Sequence, residues 1–195
     1  DRLFRSAVGI GLDMPWKKKE VCFWIEEAVG RNSKVARALR LLRRRPRTAP
    51  RNDSIVEYRI RVTVSRGANH FDFLTTKHPT ICIALEPLFP EPPEVYDNGV
   101  SVITFLMERI FPEVKSLNFL PAVLARQAMA KKKAYEAIFV NHEWFVTEGT
   151  ITNVFIICSD ELITPNAGVL GGTTREVILK LAKSVLRVRL RDISK

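Results

Sequence analysis

Apolar positions change their period along the chain. Leu3, Phe4, Ala7 and Val8 share one side of a short helix. After Pro15, a residue suited to a first helical turn, Val21, Trp24, Ile25, Ala28 and Val29 recur at the spacing of an amphipathic helix, and Gly30 stands where a C-cap is expected. From Val56 the period falls to two. Val56, Tyr58, Ile60, Val62 and Val64 face one way and Glu57, Arg59, Arg61, Thr63 and Ser65 the other, which predicts a half-buried strand ending at Arg66-Gly67. Thr80 to Leu85 predicts a second strand. Pro87, Pro90, Pro92 and Pro93 then form a stiff stretch suited to a crossing between domains.

The second half alternates. Val100 to Phe105 is apolar and extended, and Phe119 to Ala130 is helical with Leu120, Val123, Leu124 and Ala128 on one face. Glu136 to Val140, Trp144 to Val146 and Asn153 to Cys158 predict successive strands of a meander. Thr174 to Leu186 predicts a closing helix with Val177, Ile178, Leu181, Ala182 and Val185 inward. Helices and strands are interspersed, so the expected class is mixed α/β or α+β.

Composition adds one correction to that picture. The 195 residues are 46% apolar, which excludes a disordered or collagen-like chain, and they carry a net charge of +10. That charge is local. The segment from Arg31 to Arg51 holds nine basic residues and no acidic one, leaving 22 basic and 21 acidic residues elsewhere, a net of +1. Lys34, Arg37, Arg40 and Arg43 fall at every third position, and Pro46 and Pro50 end any helix there. The segment reads as a solvated insertion or as a helix for RNA or another polyanion; it lacks the interleaved aromatics that stack on bases. A nucleic-acid partner is therefore not expected apart from this segment. Cys22, Cys82 and Cys158 are odd in number and unpaired in spacing, so buried reduced thiols of a cytoplasmic protein are expected. His70, His78 and His142 show no metal-ligand spacing. No apolar run approaches the roughly 20 residues of a membrane span.

Four features carry candidate chemistry. Gly171-Gly172-Thr173-Thr174 leads into the last helix, where free N–H groups favour an anion, although a plain turn with a capping threonine fits as well. Lys115 lies between a strand and a helix, where partial desolvation would make it a carbonyl-attacking amine; it is one of twelve lysines. Glu148 ends a strand, either as partner of a protonated ring nitrogen or as a turn cap. Arg2 either holds an anion or faces water.

In sequence order, these features resemble the class IV (fold type IV) pyridoxal-phosphate enzymes. The resemblance is carried by Lys115-Ser116-Leu117-Asn118-Phe119-Leu120-Pro121, Tyr135-Glu136-Ala137-Ile138, Thr147-Glu148-Gly149-Thr150-Ile151-Thr152-Asn153-Val154-Phe155, Leu162-Ile163-Thr164-Pro165 and Leu170-Gly171-Gly172-Thr173-Thr174-Arg175. Asp1-Arg2-Leu3-Phe4-Arg5-Ser6-Ala7 and Val62-Thr63-Val64-Ser65-Arg66-Gly67 look like the family's small domain. The resemblance implies a small N-terminal domain over 1–97, interrupted by a basic insertion at 31–53, and a cofactor-binding domain over 98–195. It implies pyridoxal 5'-phosphate as cofactor and transamination between an amino acid and a 2-oxo acid. Lys115 would form the Schiff base and carry the proton, and Glu148 would pair with the pyridine nitrogen. Arg2, Thr173 and Thr174 would bind the phosphate, and Leu170 would pack on the ring. A homodimer is implied in the same way.

Three activities share these motifs: D-amino-acid aminotransferase, branched-chain aminotransferase and aminodeoxychorismate lyase. The Arg-x-His clamp of the first is replaced by Phe71 and Phe73. Of the Tyr-x-Arg of the second only Arg61 remains, beside Arg59, so Arg61 is the candidate ligand for a substrate carboxylate, with a solvated strand face as the alternative. Phe119 stands where many members carry a tyrosine. Members also run beyond both ends of this sequence. It is therefore expected to be a piece of such an enzyme that need not turn over alone.

Overall fold

The computed structural model describes residues 1–42, 58–68 and 78–195, with residues 33–42 described by their backbone. Phe71, Phe73, Val56 and most of the basic segment lie outside the described residues. The described chain forms two compact units, one of Asp1 and Ala7–Glu91, the other of Arg2–Ser6 and Pro92–Lys195.

Helix α1 covers Arg2–Gly9 and helix α2 Lys18–Leu42. The expected stop at Gly30 is not there. Gly30 does not adopt a positive φ, and an i,i+4 ion pair between Glu27 and Arg31 spans it. The predicted face of α2 does turn inward: Val21 is buried and Trp24, Ile25, Ala28 and Val29 are half-buried. Trp16 packs edge-on against Trp24 at 5.7 Å. Strands β1 (Tyr58–Ser65) and β2 (Thr80–Pro87) pair antiparallel from Tyr58↔Pro87 to Ser65↔Thr80, and α2 packs on β2. The period of two in β1 holds at Val62 and Val64 but fails at Ile60, which is exposed.

In the second unit, a short helix α3 (Pro93–Asp97) precedes β3 (Val102–Leu106), α4 (Leu120–Lys132), β4 (Glu136–Val140) and β5 (Val146–Gly149). β3 and β4 run parallel with α4 as their crossover, and β5 returns antiparallel to β4. A second sheet uses the same two connections in the opposite order, with β6 (Ile156–Cys158), β7 (Glu161–Thr164), α5 (Thr173–Ala182) and β8 (Arg187–Leu190): β6 and β7 are antiparallel, and β8 lies parallel to β7 beyond α5. Strands and helices are thus mixed as predicted.

The core of this unit is Ala125, Met129, Ala137 and Phe139, flanked by Ile103, Phe105, Met107 and Ala134. The predicted helix faces need correction. α4 buries Ala122, Ala125 and Met129, while Leu120, Val123 and Leu124 are exposed. Small side chains let the helix backbone settle close to the sheet, and the leucine stripe is turned away. α5 buries Arg175 and Ala182 and leaves Val177 and Leu181 exposed; Val185 lies beyond its end, also exposed. On α1, Ser6 and Ala7 are buried and Val8 is not. The three cysteines, expected inside, are all exposed. Among the described residues, no helix is long and apolar enough to cross a membrane.

Candidate active site

β5 delivers Glu148 into the interior, where it is 3% exposed. The turn after it is held tightly. Glu136, at the start of β4, accepts hydrogen bonds from the Thr150 hydroxyl (2.8 Å) and amide (3.3 Å) through Oε1, and from the Thr152 hydroxyl (3.1 Å) through Oε2. Gly149 sits inside this clasp, where a Cβ would fall on the Thr152 hydroxyl. Glu148 Oε2 accepts from the Leu170 amide at 2.9 Å and from Asn153 Nδ2 at 3.3 Å. Its Oε1 lies 3.1 Å from Arg109 Nε, close enough for an ion pair, yet it is buried without a hydrogen bond from any of the described residues.

Lys115 follows β3 on a connection that also carries Arg109. The Lys115 amide donates to the hydroxyl of buried Ser6 at 3.0 Å, so α1 fixes the backbone while the residue lines a cleft. The third wall is the start of α5. Gly172 precedes its first turn and Glu176 N–H is bonded to Gly172 O; among the described residues no side chain caps the start of the helix at Thr173 and Thr174. A cleft of about 380 Å³ results, lined by Arg2, Lys115, Glu148, Leu170, Thr173 and Thr174 together with Arg109, Asn153 and Arg175.

The electrostatics oppose each group's ordinary state. Partial desolvation, then the guanidinium groups of Arg109 and Arg2, lower the Lys115 pKa, with Glu148 pulling the other way. Burial raises the Glu148 pKa, against the Leu170 N–H, Arg109, Lys115 and Arg175. The cleft therefore eases loss of the Lys115 proton and sets a costly buried carboxylate among cations. Such a pair suits covalent attachment to a carbonyl and stabilisation of a protonated ring nitrogen.

Six of the seven sequence-predicted residues thus line one cleft. The seventh, Arg61, belongs to the first unit, where it lies on β1 at 3.9 Å from Glu86. Arg109, Asn153, Arg175 and Glu136 were not singled out by the sequence. Asn153, Glu136 and Arg175 stand within the quoted motifs; Arg109 gives no signal beyond its charge. Gly172 is tied to this arrangement as well, because a Cβ there would fall on Asn153 Oδ1. Asn153 has little freedom to yield, since its amide also donates to the Leu170 carbonyl at 3.0 Å. Gly172→Ala is expected to cost about 1–3 kcal/mol of stability, measured by urea unfolding; an unchanged midpoint would mean that Asn153 swings aside freely.

The sequence model of the family described as "Amino-transferase class IV" matches residues 1–195. The chain belongs to the class IV aminotransferase family. This class IV chain is 32% identical over 193 residues to the "Putative branched-chain-amino-acid aminotransferase" of Methanocaldococcus jannaschii, covering 94% of itself and 58% of that protein. It is 31% identical over 189 residues to the D-alanine aminotransferase of Staphylococcus epidermidis, covering 94% and 59%. Among solved structures it resembles the branched-chain amino acid aminotransferase of Thermobaculum terrenum in its PLP-bound holo form. The TM-score there is 0.76 at 24% identity, over 100% of this chain and 60% of the other, which establishes the shared fold. The class IV chain spans just under three fifths of the length of the two curated relatives.

Proposed function

We propose that the chain supplies the cofactor cleft of a pyridoxal-phosphate-dependent aminotransferase that moves an amino group from an amino acid to a 2-oxo acid. The observation that carries this reading is Glu148 Oε1, a buried carboxylate oxygen with an unused acceptor lone pair at the cleft, which fits a protonated pyridine nitrogen. The other groups fit the same ligand. Arg2 and the uncapped first turn of α5, with the Thr173 and Thr174 hydroxyls, suit its phosphate. Leu170 offers an apolar side chain, itself 7% exposed, to a flat ring.

When bound, pyridoxal phosphate supplies the electron sink that makes an amino acid Cα–H acidic. The protein supplies the rest. Lys115 Nζ, its proton loosened by its surroundings, would be the amine that holds the cofactor and the base that moves the Cα proton. Glu148, lining the same cleft, would hold the proton on the ring nitrogen. Arg61 remains the proposed ligand for the substrate carboxylate. The motif resemblance supports a homodimeric enzyme, and the exposed Leu120, Val123 and Leu124 stripe on α4 is apolar surface suited to burial between subunits.

The test is covalent. The chain is incubated with pyridoxal phosphate, reduced with borohydride, digested and mapped by mass spectrometry. The label is expected on Lys115 in preference to the other eleven lysines. Label spread over surface lysines, or none, would refute the assignment. Pyruvate release from aminodeoxychorismate without an added 2-oxo acid would replace transamination by the lyase activity.

A further inference from the structure

We infer that Arg109 is a positioning residue for this cleft: it holds the Glu148 carboxylate by charge rather than by a hydrogen bond, and so leaves Oε1 free to accept from a ring N–H. The inference rests on the cofactor reading above and extends it to a residue outside the quoted motifs.

The geometry is specific. Arg109 Nη2 donates to the Thr150 carbonyl at 2.8 Å, which fixes one edge of the guanidinium to the turn that follows Glu148. Its Cζ lies 6.0 Å from the centroid of the Phe139 ring, at the core of the unit. Held at these two points, the guanidinium presents Nε to Glu148 Oε1 at 3.1 Å without the alignment of a hydrogen bond. Glu148 Oε2 is already occupied by the Leu170 amide and Asn153. The carboxylate therefore receives a counter-charge on one oxygen and hydrogen bonds on the other, and only the first retains capacity for a ligand. A bidentate arginine fork would have consumed both oxygens.

The same guanidinium acts on Lys115. The charged groups acting on the two titrating residues are Arg2, Arg109 and Glu148 on Lys115, and Arg109, Lys115 and Arg175 on Glu148. Arg109 lowers both pKa values, favouring an ionised carboxylate and a neutral amine at once. Arg175 acts on Glu148 alone of the two, with its Nη2 donating to the Pro165 carbonyl at 2.9 Å.

The experiment compares wild-type protein with Arg109→Gln and Arg109→Lys, without cofactor and then with it. In the cofactor-free proteins, Lys115 is titrated by the pH dependence of its acylation rate, and Glu148 by its carboxyl infrared band assigned against Glu148→Gln. With Arg109→Gln both titrations are expected to move up, and with Arg109→Lys both are expected to stay near wild type. Pyridoxal phosphate affinity is expected to fall about ten- to a hundredfold in Arg109→Gln, the range of a charge-assisted hydrogen bond.

The Glu148 titration separates this role from mere structural support. A loosened site would admit water and bring Glu148 down toward the ordinary carboxylate range, so a downward move, or none, overturns the inference. If the titrations move as expected but wild-type protein takes no label at Lys115, the cofactor reading fails while the effect of Arg109 on the carboxylate stands. If Lys115 is labelled and Glu148 does not move, the reverse holds.

Discussion

Lys115→Ala is expected to abolish borohydride-trappable attachment of pyridoxal phosphate and to lower amino-group transfer on the order of 10⁴-fold in any preparation that shows it, the upper range for a positioned proton-transfer group. The loss should be specific to chemistry. Arg2, Thr173, Thr174 and Glu148 remain in the cleft, so reversible cofactor binding persists and is seen by equilibrium dialysis. The fold should not suffer. The Lys115 charge is disfavoured by desolvation and by two neighbouring guanidinium groups, which lower its pKa from 10.5. Below that lowered value the folded protein bears the cost of a charged amine that the unfolded chain does not. The cost disappears as pH rises from the lowered value to 10.5, a window in which the unfolded chain binds the extra proton and stability climbs. Lys115→Met is thus expected to be at least as stable as wild type at neutral pH, and to lose this pH dependence. A variant that unfolds more readily would make Lys115 a structural residue, and the assignment would fail.

This opposition between stability and use explains what the sequence reveals and what it conceals. Lys115, Glu148, Thr173 and Thr174 are legible as residues of one cleft because each stands in a short ordered motif. The strand at Glu136–Val140 is legible because five consecutive residues fix both its register and its neighbours. Arg109 is not legible, because its role arises from three tertiary contacts with Glu148, Thr150 and Phe139, from 30 to 41 residues away in the chain. Glu136 reads as a strand residue until the Gly149–Thr152 turn folds onto it. The helix faces mislead for a related reason. Periodicity ranks leucine above alanine, whereas the sheet accepts the face that lets the helix come closest, and on α4 that face is Ala122, Ala125 and Met129. The basic segment stood out most in the composition, yet the cleft draws its cations from Arg2, Arg109, Lys115 and Arg175, which lie outside it.

Phe139→Ala is expected to lower the stability of the second unit by about 3–5 kcal/mol, the range for removing a fully buried aromatic side chain. Phe139 is 1% exposed. It packs with Ala125, Met129 and Ala137, and its ring lies 6.5 Å from that of Phe105. Two of these partners are alanines, with no side chain to swing into the void, so the cavity cannot collapse cheaply. Amide hydrogen exchange along β4 should accelerate about 10²–10⁴-fold. A loss below about 1 kcal/mol would show that neighbouring groups refill the space. Phe139→Leu separates packing from the ring itself. It retains much of the volume, so the stability loss should be under about 1.5 kcal/mol, but it removes the aromatic face beneath Arg109. The backbone carbonyl that accepts the Thr147 hydroxyl at 3.3 Å is unchanged, so β5 keeps its register beside β4. Any rise in the Glu148 titration of Phe139→Leu then reports the loss of Arg109's seat, because the charges acting on the carboxylate are all still present.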